Sequence, residues 1–237
     1  MADFRRLMGE DKRVLQIGGI GGLMAGVVSI IGTVVFLSLG GAGTTEEALT
    51  RMNEFGAAYL AFPALSIVAF LLSIPLFLAL YRGTGSASPA SAMLGVVLGA
   101  SGALVTAANW AMVLIGLPVL SEVHATATDA ERPMILFAAQ AWEQITHAFQ
   151  FFGGLLIGLA AMSFGWGLLA AQGGSRVYGW ASVILGLLIT ASWVLAVGFS
   201  GTGIDVAFVG IGFLAVIPLF LLLGWKVYSL SRTSPPG

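Results

Sequence analysis

Four side chains capable of acid–base, ligand or metal chemistry fall within eight positions of an otherwise apolar chain: Glu143, Gln144, His147 and Gln150, in the stretch AWEQITHAFQ. On a helix, residues three and four apart share a face. Gln140, Glu143, Gln144 and His147 therefore form one polar stripe, with Gln150 at its margin, and along the same face the stripe gives way to Gly154 and Gly158. Trp142, Ile145, Phe149 and Phe152 lie opposite. Polar residues that continue into glycines predict a face turned towards other helices rather than lipid. At i, i+4 spacing, Glu143 and His147 can share a charge-assisted hydrogen bond, with the carboxylate favouring the imidazolium and burial opposing it.

Three chemistries compete for this pair. It could move protons in a transporter or sensor. It could hold a metal or polar ligand in an outward-facing pocket, together with Asn109 and His124. His147 could ligate a haem. The pair matches neither H-E-x-x-H nor the Glu-x-x-His carboxylate pattern, and a third metal ligand is missing. His124 is the only other histidine and lies in a loop, so a second axial ligand from within the spans would need another subunit. Against all three stands a polar network where the helix leaves the membrane, satisfied by water and outer loops. No cofactor, metal or catalytic set is expected.

The elements that must position these residues follow from composition. Of 237 residues, 58% are hydrophobic and 9% charged, and the mean hydropathy is +0.98. A soluble domain carries about 25% charged residues, so too few charges exist to cover a water-facing surface. The chain reads as an integral membrane protein. Its net charge of −1 gives no basic face for nucleic acid, and the absence of cysteine excludes disulfides, thiolate metal sites and cysteine nucleophiles.

A helix needs roughly 20 apolar residues to cross a bilayer. Six such runs occur, at about 14–39, 55–81, 91–120, 145–171, 178–199 and 207–228. They predict an all-α bundle of six transmembrane helices over residues 14–228, with a cytoplasmic segment at 1–13 and a cytoplasmic tail at 229–237. Arg5, Arg6, Lys12, Arg13, Arg82, Arg176, Lys226 and Arg232 fall on one side, whereas only Arg51 and Arg132 fall on the other. The positive-inside rule then places both termini in the cytoplasm, with the chain in the inner membrane. The outer loops hold Glu46, Glu47, Glu54, Glu122, Asp129, Glu131 and Asp205. The first run is too long for a signal peptide and lacks a cleavage site, so a retained helix is expected.

Helical extensions are expected at about 45–54 and 129–144. Thr44 with Glu47, and Thr128 with Glu131, have capping-box spacing. Each extension either runs on into the next span as a long or kinked helix, or lies on the surface as a short one. Pro63, Pro75 and Pro218 each free a carbonyl and can kink their helices. IPLF occurs at both Ile74–Phe77 and Ile217–Phe220, too short a match to argue duplication.

Small residues recur at four-residue spacing: Gly18, Gly22 and Gly26 in span one, Gly95, Gly99 and Ala103 in span three, Gly154 and Gly158 in span four. Such rows let backbones approach closely, either across a dimer face or within one bundle. Packing within the bundle is preferred, because six helices must bury several such faces. Asn109, in the outer half of span three, is expected to bond a neighbouring helix or a ligand.

LALYRG closes span two, and GGLLIGLAAMSFGWGLLAAQGGSRVYGWASVILGLL links spans four and five. With Leu80, Tyr81, Arg82, Arg176, Gly179 and Trp180, the chain resembles a group of six-helix bacterial membrane proteins of uncharacterised function. It departs from their pattern at the start of span one, which reads RVLQIGG. The resemblance implies a topology and no activity, so no functional residue carries over. The expectation is an accessory or structural subunit of a larger membrane complex, or a homo-oligomer. The rival is a small transporter or sensor whose outward pocket is built from Asn109, Glu143 and His147. Expected partners are the lipid bilayer and other membrane subunits or a second copy.

Overall fold

The computed structural model describes residues 2–40, 44–84, 87–171, 176–199 and 204–233, with side chains from residue 12 and, in the last segment, for 207–232. It is all-helical, with no strand among the described residues. Among the described residues seven α-helices follow in order: α1 Ala2–Ser38, α2 Thr45–Phe55, α3 Ala61–Thr84, α4 Pro89–Thr126, α5 Arg132–Ala170, α6 Arg176–Gly198 and α7 Ile204–Thr233. All but α2 are long and apolar enough to cross a membrane. These six form a ring: α1 packs on α3, α3 on α4, α4 on α5, α5 on α6, α6 on α7, and α7 closes back on α1. The expected six-helix bundle is thus present. Helix α1 reaches back through residues 2–13, which the sequence had set apart as a separate segment.

The glycine rows are used inside this one ring. A Cβ at Gly18 would overlap Ala79 of α3, one at Gly22 would meet Gly224 and Leu76, and one at Gly26 would strike Leu221 of α7. Gly95 accepts the Phe164 ring, and Gly99 that of Phe77. Gly154 accepts the Trp193 indole, and Gly158 the Thr190 hydroxyl. Without these side chains the backbones approach closely enough for dispersion and close packing to hold the helices. Phe77, Phe164 and Phe220 fill the middle of the ring, all fully buried.

The two helical extensions differ from each other. Residues 45–55 form a separate helix, not the start of span two. Gly56 adopts φ +52°, a backbone state open to glycine, and a 3₁₀ turn over Gly56–Ala58 breaks the path before α3 begins at Ala61. The short-helix alternative holds there, and the span beginning at 55 is corrected to Ala61. The other extension is continuous: α5 runs unbroken for 39 residues. Thr44 caps α2 as its spacing predicts, accepting from the Glu47 N–H at 3.2 Å. Thr128 does not cap α5. Glu131 accepts from its N–H and hydroxyl at 3.0 and 2.7 Å, closing a turn, and α5 starts after it with Pro133 in its first turn. Pro75, Pro118 and Pro218 lie within α3, α4 and α7. Pro63 lies in the first turn of α3, where a missing N–H costs nothing.

Helices α4 and α5 have 38 and 39 residues, or about 57 Å each at 1.5 Å per residue. The hydrocarbon core is about 30 Å thick. The excess projects at the end where α2 lies. There α2 packs across both helices and forms a cap with its own small core of Leu49, Tyr59, Leu117 and Ala139. Two hydrogen bonds fasten it to α4. The Ser121 hydroxyl donates to the Leu49 carbonyl at 2.8 Å, and the Asn53 amide to the Ser121 carbonyl at 3.4 Å.

Candidate functional site

The polar stripe lies on α5 just beyond the point where α6 stops covering it. Gly154 meets Trp193 across the α5–α6 crossing. The helices are antiparallel, so the α6 end at Gly198 falls level with Phe149. Gly154 and Gly158 are therefore covered, whereas His147, Gln144 and Gln140 stand past the end of α6 and are exposed. The expectation that the whole stripe faces other helices is corrected here: its glycine half does, and its polar half does not.

Glu143 is the exception. It is partly buried, and one carboxylate oxygen accepts from the hydroxyl of Thr45 at the start of α2. Its other oxygen lies 3.9 Å from His147 Nε2, outside hydrogen-bond reach, with the imidazole about half exposed. An open groove on this flank is lined by Thr45, Phe137, Gln140, Glu143 and Gln144. It offers a carboxylate, two amides and an aromatic ring to whatever approaches from solvent.

Asn109 does not join them. It is 1% exposed and sits in the interior of α4. Thr106, one turn away, abuts Gly153, so Asn109 lies near the level of Gln150, about two turns deeper than Glu143. The pocket of Asn109, Glu143 and His147 is therefore not assembled. His124 lies in the last turn of α4, not in a loop as the sequence suggested, and is likewise separate from the pair: α4 residues at that level face the first turn of α5, not His147. No group of three or more His, Asp and Glu side chains is placed to hold a metal among the described residues.

A second polar set lies in the core, and of its members the sequence had singled out Asn109 alone. Both amide atoms of Asn109, the indole N–H groups of Trp110 and Trp193, and the Thr190 hydroxyl are buried with no hydrogen-bond partner among the described residues. Both indoles pack on Phe213, with centroids 5.7 Å away in each case, and Phe62 stands edge-on to Trp110 at 4.9 Å. Gln150 and Thr146 are also buried on α5; Thr146 donates to the Glu143 carbonyl at 2.8 Å. Asn109 had a sequence signal as a polar residue in an apolar run, and Trp193, fitted into the gap at Gly154, had one as a large aromatic at the right level for a glycine on a neighbouring span; Trp110 and Thr190 had none.

Burial in the cap core raises the Tyr59 phenol above its ordinary value, and Arg51 partly opposes this. Hydrogen bonds from Thr128 lower the exposed Glu131 carboxyl. Arg51 and Arg132 pair with Glu54 and Asp129 at 3.9 and 3.4 Å. At the opposite end, Lys226 stands over the Tyr178 ring at 5.4 Å and Arg232 over Tyr228 at 5.9 Å.

No family model matches the chain, and neither does any curated protein or solved structure. The likeness to six-helix bacterial membrane proteins rests on the quoted residues alone.

Proposed function

We propose that this chain is a non-catalytic integral membrane protein that works by assembly, as an accessory or structural subunit of a larger membrane complex or as a homo-oligomer. It resides in the inner membrane of a bacterium with both termini in the cytoplasm. The engagement of Glu143 carries this reading. The sharpest chemical candidate in the sequence is occupied by Thr45, so it serves to seat α2 on α5. A projecting cap of three helices fastened in this way suits contact with other proteins. The orientation is supported by Lys12, Arg13, Arg82, Arg176, Lys226 and Arg232, all at the end opposite the cap.

The rival reading, a transporter or sensor with an outward site, draws on the open groove beside Glu143. The groove lies outside the bundle rather than between its spans. One experiment separates the two. The protein is extracted in native lipid patches and its mass is measured. Assembly predicts particles larger than one 24.5 kDa chain. A lone chain whose reconstituted vesicles show solute flux, lost in Glu143→Gln, overturns the proposal.

A further inference from the structure

Helix α2 covers one side of the projecting α4–α5 hairpin, and the side facing away from the ring is apolar and uncovered. On α4 it presents Val119 and Val123, 58% and 46% exposed; on α5 it presents Met134 at 70% and Ile145 at 54%. Ala138 and Ala141, between these two, are exposed as well. Among the described residues the only charge against this strip is Glu122, exposed beside Val119 at i, i+3 on the edge away from α5, and the polar stripe stands on its other flank. The strip continues the lipid-facing surface of both helices, so an apolar face about 57 Å long meets a hydrocarbon layer of about 30 Å. Roughly half of it extends beyond the acyl chains. Isolated exposed aliphatics are ordinary, but a contiguous patch calls for a cover.

We infer that the cover is a second copy of this chain, docked hairpin to hairpin about a two-fold axis along the membrane normal. This inference rests on the assembly reading proposed above and names its surface. Two copies inserted in the same direction can only meet level with level. Gly116 abuts Trp142 and Gly153 abuts Thr106, which fixes the levels of α4 and α5: Val119 stands opposite Ala139, and Val123 opposite Ile135. Across a two-fold axis, α4 of one copy faces α5 of the other at these same heights. The bulky ridge of Val119 and Val123 then meets the small surface of Ala138 and Ala141, closed above by Met134 and below by Ile145. An isologous contact requires such self-complementarity. The area is adequate as well. Docked along their whole length, the lipid-facing half included, two helices about 20 Å across and about 57 Å long present a footprint of about 1,100 Å², against the roughly 800 Å² per partner of a stable interface. The glycine rows are not available for the purpose, since each is filled within its own ring.

The chain contains no cysteine, so introduced thiols report without background. The full-length double variant Val119→Cys with Ala138→Cys is oxidised in native membranes with copper–phenanthroline and compared with Val34→Cys, a lipid-facing control on α1. The expected result is a disulfide-linked species of two chains for the double variant and at most a trace for the control. A Val119→Asp, Val123→Lys variant, changed only at exposed positions, should halve the particle mass in native lipid patches while remaining monodisperse. Adducts with a different protein and none with itself overturn the second copy while leaving the assembly reading intact. Particles larger than one chain with no adduct on this strip move the contact to another face. Single chains with no adduct overturn both.

Discussion

Glu143 holds α2 with one carboxylate oxygen and leaves the other 3.9 Å from a half-exposed imidazole. The two interactions differ in worth. An exposed ion pair contributes about 0–1 kcal/mol, whereas a hydrogen bond to a charged group contributes about 1.5–3 kcal/mol. Glu143 is partly open to solvent, so the lower part of that range applies. His147→Ala should therefore leave thermal stability within error, while Thr45→Val should raise amide exchange in α2 several-fold with the six spans still protected. Equal loss of protection in α2 and in the spans would show that the contact belongs to the global core. Asn109 poses the opposite problem. A buried amide with neither donor nor acceptor paired costs about 1–3 kcal/mol, and an apolar side chain of the same size avoids that cost. Asn109→Leu should raise the unfolding midpoint in detergent. A fall would reveal that the amide has a partner in the membrane, and that the core polar set is a binding element. Neither behaviour was legible in the sequence. A polar residue inside an apolar run signals a cost but does not say which neighbour meets it.

At the scale of elements, helix existence was readable and helix coverage was not. The period and length of the apolar runs placed all six spans, because each must satisfy its own backbone in lipid. The stripe was misread because its phase on α5 is right for contact with α6, as Gly154 and Gly158 show, but α6 ends at Gly198 and leaves the outer turns bare. Where one helix stops relative to another is a tertiary fact. The break at Gly56 was missed for a related reason: a lone glycine reads as tolerable in a helix, and only its positive φ turns the chain. The α5–α6 crossing gives a direct check. A Cβ at Gly154 would overlap the Trp193 indole, and over-packing of this kind costs about 1–3 kcal/mol. Gly154→Ala should lower the unfolding midpoint, and a Trp193→Leu change in the same chain should recover part of the loss. The cap offers a second check through pH. Burial raises the folded-state pKa of Tyr59, so its neutral form is favoured in the fold. That contribution is complete below the unfolded phenol value of about 10 and is lost as pH rises through the folded value. Alkaline solution should therefore loosen α2 before the spans, and Tyr59→Phe should abolish that early step.

For the whole molecule, the distribution of charge carries the most information. The cap end holds Glu46, Glu47, Glu54, Glu122, Asp129, Glu131 and Glu143, and its two arginines are each paired with a carboxylate. The opposite end carries Lys12, Arg13, Arg82, Arg176, Lys226 and Arg232. Lys and Arg in short loops set orientation, while carboxylates contribute little, so the excess of cations at one end, six against two among the residues with described side chains, supports the proposed insertion direction. In the orientation proposed above, the ring stands with its basic end in the cytoplasm and its acidic cap outside. Thiol labelling can decide this, again because the chain has no cysteine of its own. In intact cells a membrane-impermeant maleimide should modify Thr128→Cys, in the exposed turn between α4 and α5, and should leave Ser88→Cys, before α4, untouched until the cells are opened. The reverse pattern would invert the bundle. It would also place the apolar hairpin face on the cytoplasmic side, and the two-fold contact between copies would then form there instead of at the outer surface.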